Sequence, residues 1–122
     1  MKYLNVFLCI LMLLFIGVQY NDPDGLLWSV IYSVPAIWTA LAAFRLKQMT
    51  KPLPITLLTV SVVGALILTV FYWPTTPDFW RTEIYWETET AREGMGMMIA
   101  SFVTLVAAGT IWSAKIKASR DA

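Results

Sequence analysis

The chain has 122 residues, 58% of them hydrophobic and 14% charged, with a net charge of +1, a single cysteine and no histidine. An ordinary soluble domain carries about a quarter charged residues, so this balance excludes one and indicates a single membrane domain. The small net charge and the lack of a basic patch interleaved with aromatics exclude nucleic acid as a partner, the lone Cys9 excludes an internal disulfide or a CxxC relay, and the missing histidine removes the commonest general base and transition-metal ligand.

A helix that crosses a hydrocarbon core of about 30 Å needs about 20 apolar residues at roughly 1.5 Å each. Four runs have that character, and the sequence predicts helices over 3–20, 26–44, 54–73 and 94–114. The first follows Lys2 and ends in Ile16, Gly17, Val18, Gln19 and Tyr20, with no small-x-small cleavage pattern, so it is expected to be retained as a helix. Lys2 can snorkel at its start and Tyr20 can sit among headgroups at its end. In the turn that follows, Asp22 suits an N-cap, Pro23 the first helical position and Asp24 the positive helix end.

The second run carries Trp28, Tyr32, Pro35 and Thr39 at helical spacing, with a kink expected at Pro35. Lys51-Pro52-Leu53-Pro54 then separates it from the third run, which is expected to begin at Pro54. Residues 74–90 mix aromatics with charges and are expected to form a short amphipathic segment on the outer interface. Thr90 and Glu93 have capping-box spacing ahead of the fourth run, on which Glu93, Met97, Ser101, Thr104 and Ala108 form a stripe that should face the Trp28 stripe. Cys9 and the Met95, Met97, Met98 group are expected to be packing residues.

Charge sets the orientation. The N-terminus, residues 45–51 and the C-terminal tail hold Lys2, Arg45, Lys47, Lys51, Lys115, Lys117 and Arg120 against the single acid Asp121, whereas the other two polar pieces hold Asp22, Asp24, Asp78, Glu83, Glu87, Glu89 and Glu93 with only Arg81 and Arg92. Basic residues near helix ends stay in the cytoplasm, so both termini are expected there. The expected fold is all-α: an integral membrane four-helix bundle, up-down-up-down, with an interfacial segment between helices 3 and 4. Short loops and no targeting segment point to a bacterial inner (cytoplasmic) membrane.

This topology gathers Gln19, Asn21, Asp22, Asp24, Trp28, Tyr32, Glu89, Arg92 and Glu93 on the outer face. Three readings apply to the cluster. It can lock the bundle through caps and an Arg92–carboxylate pair; it can coordinate a hard cation through Asp22, Asp24, Glu89 and Glu93; or it can dock a small molecule, lipid headgroup or protein, with Arg92 as anion contact and Trp28 and Tyr32 as walls. No nucleophile with an adjacent base is present, and the spans carry no charged residue of the kind that marks a proton or ion relay. No cofactor is implied.

The stretch Gln19-Tyr20-Asn21-Asp22-Pro23-Asp24, then Trp28, Tyr32 and Pro35, and finally Ala91-Arg92-Glu93-Gly94-Met95, resembles the transmembrane protein 220 family. The resemblance covers the first two helices and the start of the fourth, and implies a small multi-helix membrane protein in which Asn21, Asp22, Pro23, Asp24, Arg92 and Glu93 hold motif positions. Tyr20 departs from the aliphatic residue of that pattern. The expected role is a non-enzymatic accessory or scaffolding subunit in the lipid bilayer that docks into a larger complex; the alternative is a binding or transport protein for a cation or small solute.

Overall fold

The computed structural model describes residues 2–19, 25–73 and 89–121, with the side chains of residues 89–93 and 121 outside that description. The described elements are all helices: α1 Lys2–Gly17, α2 Gly25–Phe44, the single turn α3 Leu46–Met49, α4 Pro52–Phe71 and α5 Glu89–Asp121. Three of them, α2, α4 and the 27-residue stretch Gly94–Arg120 of α5, are long and apolar enough to cross a membrane. The apolar α1 has 16 residues and spans only about 24 Å.

The helix ends show local chemistry at work. Gly17, the weakest helix former in its run, closes α1 three residues before the expected end at Tyr20. The chain then tightens, with Val18 N–H donating to Leu14 O at 3.2 Å and Gln19 N–H to Ile16 O at 3.1 Å. Between α2 and α4 the structure adds α3, which the sequence reading treated as loop. The break falls at Arg45, whose φ of −134° and ψ of 37° interrupt the helix for one residue.

Helix α4 begins at Pro52 and not at Pro54, because both prolines fit in a first turn whose N–H groups have no helical acceptor. Lys51, preceding proline, is extended at φ −73°, ψ 159°. Helix α5 starts at Glu89, so Thr90 falls inside the first turn and not at the expected cap. At the other end it runs seven residues past Ala114, since residues 110–121 contain neither glycine nor proline and a helix need not stop where its apolar run stops. Its 33 residues give about 50 Å, more than a hydrocarbon core requires. Of the segment expected on the interface, 74–90, residues 74–88 lie outside the described residues and 89 and 90 belong to α5.

Helix α1 packs antiparallel along α2. Lys2 Nζ sits 5.5 Å from the Phe44 ring centre at one end, and the Phe15 and Tyr32 rings meet edge to face at 5.4 Å near the other. Helices α2 and α5 run parallel and in direct contact, and α4 lies antiparallel along α5. One core joins Leu8 and Met12 of α1 to Trp28, Tyr32 and Ala36 of α2 and Met97, Ala100 and Val103 of α5. A second joins Trp38 and Ala42 of α2 to Leu58 and Val62 of α4 and Ala107, Ala108 and Ile111 of α5. Alanines at these crossings let the backbones approach closely, which is the main source of helix association where the surroundings are themselves apolar.

Polar pins join the same helices. The fully buried Asn5 donates from Nδ2 to Thr110 Oγ1 at 3.0 Å, tying α1 to α5, while the Thr110 hydroxyl donates to Val106 O at 2.9 Å. Between α4 and α5 the hydroxyls of Thr69 and Ser101 meet and share the carbonyl of Ala65, at 2.8 and 3.0 Å respectively. Cys9, half-buried as a packing residue, also points its Sγ at Ala36 O, 3.4 Å away. The Thr39 hydroxyl lies 2.8 Å from Pro35 O and 3.0 Å from Ala36 O, one turn after the Ile31 carbonyl that loses its helical donor because Pro35 has no N–H.

Candidate functional site

Trp28, Tyr32, Pro35 and Thr39 are all buried along one face of α2, and Met97, Ser101, Thr104 and Ala108 are buried or half-buried along α5, as their spacing predicts. The two stripes meet. A Cβ on Gly96 would fall inside contact distance of the Tyr32 hydroxyl, so the absence of a side chain at 96 is what admits the tyrosine. Because α2 and α5 are parallel, this pairing puts Arg92, one turn before Gly96, level with Trp28, one turn before Tyr32.

Aromatic rings cap this end of the molecule. Trp28 lies 5.7 Å from Tyr32 and 5.1 Å from Tyr72, which follows α4, and Tyr32 also meets Phe15. Gln19 is half-buried beside them, its Nε2 donating to Phe15 O at 3.2 Å. Its backbone carbonyl lies so close to Gly25 that a Cβ there would collide with it, a constraint on the hairpin that no sequence pattern revealed. Of the remaining expected site residues, Asn21, Asp22 and Asp24 lie outside the described residues; Glu89, Arg92 and Glu93 belong to the opening turns of α5 with their side chains outside the description.

A second feature was not foreseen. Helices α2 and α4 diverge over α5 and leave a lateral cleft of about 230 Å³, lined by Val34 and Pro35 of α2, Ser61, Gly64 and Ala65 of α4, and Met97 of α5. The α2 side chains reach across at two places, the Trp28–Tyr72 ring contact toward one end and Trp38 Nε1 donating to Ser61 Oγ at 3.0 Å toward the other. The hydroxyls along it are engaged within their own helices, Ser61 with Leu57 O at 2.9 Å and Thr104 with Ala100 O at 2.8 Å. The cleft therefore offers shape and apolar surface. Among the described residues, no three histidine, cysteine or carboxylate side chains group to hold a metal.

Sequence reasoning missed two contributors. Asn5 carried a usable signal, an amide deep in an apolar run, since a polar group in a span normally has a partner. Thr110 carried none, because its importance lies in what another helix brings against it, whereas Gly96 is a small residue of the kind that lets helices approach closely and only its partner, Tyr32, needed the structure.

The family model described as "Transmembrane family 220, helix" matches residues 11–109, a range that begins in α1 and ends within α5. Comparison with curated proteins and with solved structures gives no match. With the model spanning most of the chain, including both faces of the Tyr32–Gly96 contact, this small helical membrane protein belongs to the transmembrane 220 family.

Proposed function

We propose that the protein is a non-enzymatic accessory subunit of a larger membrane assembly. It acts as a four-helix, up-down-up-down unit of a bacterial inner membrane with both termini cytoplasmic. The observation that carries this reading is the uneven burial of the spans. In α5 61% of the most apolar window is buried within the molecule, whereas in α4 only 11% is. Helix α4 uses one narrow face on α5 and leaves Val60, Val63, Ile67 and Val70 exposed, while its Ser61, Gly64 and Ala65 line the open cleft. Membrane helices associate where small residues let backbones approach, and Gly64 faces that opening with no atom within 4 Å of its missing Cβ. A partner helix laid there would bury the surface that the chain's own helices leave uncovered, while the aromatic end and the opening turns of α5 bring Arg92 level with Trp28.

The test is purification from native membranes in a mild detergent. A complex larger than the 13.8 kDa chain is expected, and Gly64→Leu should release the protein from it without unfolding the monomer, because the new side chain enters open space. Recovery of the chain alone from gently solubilised native membranes would overturn the reading. The cation alternative has its own readout: millimolar Ca²⁺ or Mg²⁺ would raise the melting temperature of the isolated protein by mass action if Asp22, Asp24, Glu89 and Glu93 held the ion.

A further inference from the structure

At the end opposite the aromatic cap, a pocket of about 560 Å³ lies between Leu46 of α3 and the last third of α5, lined there by Gly109, Thr110, Ser113, Ala114 and Lys117. Gly109, Ser113 and Lys117 recur every four residues and so stand on one row of the helix, about 12 Å from first to last. Along that row the chemistry changes in a fixed order. At Gly109 there is open space where a side chain would be; Ser113 then presents an exposed hydroxyl, and Lys117 an exposed ammonium at the mouth. Leu46 and Ala114 supply apolar walls.

The surroundings share the sign of the mouth. Arg45 and Lys47 flank Leu46 in sequence, and Lys2 is held at this end by its contact with Phe44. Together with Lys51, Lys115 and Arg120 these side chains are exposed, and the only acid in the same polar segments is Asp121. We propose that this pocket holds one anionic phospholipid of the bilayer leaflet, with an acyl chain over Gly109, the ester region at Ser113 and the phosphate at Lys117. The occupant matches the pocket in two respects: its polarity rises along its length in the same order as the row, and its charge complements the rim. A zwitterionic lipid would share the apolar part but bring a positive group into a cationic mouth.

The inference rests on the membrane placement proposed above and is independent of any partner on α4. Flotation of the purified protein with vesicles tests the placement by itself. For the pocket, the protein is reconstituted in nanodiscs of phosphatidylcholine with one fifth phosphatidylglycerol, released, and examined by native mass spectrometry for retained lipid. One phosphatidylglycerol retained in preference to phosphatidylcholine is expected, with Lys117→Gln lowering retention about fivefold. Gly109→Leu should abolish retention while leaving the melting temperature near that of the parent, since its side chain fills the pocket from an open position. Lys51→Gln, at the same end but not in the lining, should change retention little. Equal retention of the two lipids, equal effects of Lys51→Gln and Lys117→Gln, or full retention by Gly109→Leu would each overturn the assignment.

Discussion

At the scale of single residues, the contact of Gly96 with Tyr32 makes the sharpest demand on identity. A methyl group at 96 must displace the tyrosine hydroxyl or separate α2 from α5, so Gly96→Ala should destabilise the protein by about 1 to 3 kcal/mol in detergent unfolding. Tyr32→Phe in the same chain vacates the position the hydroxyl occupies, and the double variant should recover part of the loss. Additive losses would show that the contact does not set the spacing. Asn5→Ala removes the donor that reaches Thr110. The expected cost is about 0.6 kcal/mol and below about 1.7, because the Thr110 hydroxyl keeps Val106 O as acceptor. Thermal unfolding of Asn5→Ala beside Thr110→Val, with a coupling energy from the double variant, measures that pin.

At the scale of the helix, boundaries and partners were legible to different degrees. The four apolar helices, three of them long enough to span, and the two buried stripes could be read directly, because run length and a 3.6-residue period are properties of the chain itself. Helix ends were less legible. The third helix was read as beginning at Pro54, whereas the structure makes Pro52 and Pro54 its opening turn; the end of hydrophobicity was read as the end of α5, whereas lysine, alanine and serine carry the helix on. The pairing of α2 with α5 was legible in their facing stripes, but the place of α4 was not. Nothing along α4 marks it as the least buried span, since its apolar residues look alike whether they meet protein or lipid. Ser61→Ala tests the element directly. It removes the acceptor of the Trp38 N–H and should loosen α4 at that end, read as faster exchange or cleavage in the 45–55 region, with α1 and the Trp28 end of α2 unaffected.

At the scale of the whole molecule, the candidate site splits into parts of unequal legibility. Trp28 and Tyr32 could be named from their spacing, but the surface between α2 and α4 and the pocket beside Lys117 exist only because distant segments meet. The distribution of positive charge implies a topology that a reporter can check. Fusions or cysteine labels at Lys117 and Lys47 should report one side of the membrane, and labels at Asp24 and Glu89 the other. Labels at Asp24 and Glu89 on opposite sides would separate the acidic turns and remove the outer cluster as a unit.

The central position of α5 has a consequence for how the chain is made. Helices α1 and α2 form a hairpin that can pair as soon as both leave the ribosome, yet α4 rests mainly on α5, which is synthesised after it. Until α5 arrives, α4 is a solitary span beside the α1–α2 hairpin, with its apolar surface open to proteases and to foreign helices alike. Assembly with another subunit would then compete with completion of the molecule's own fold, and any slowing of translation before residue 89 would lengthen the interval in which the two outcomes are decided.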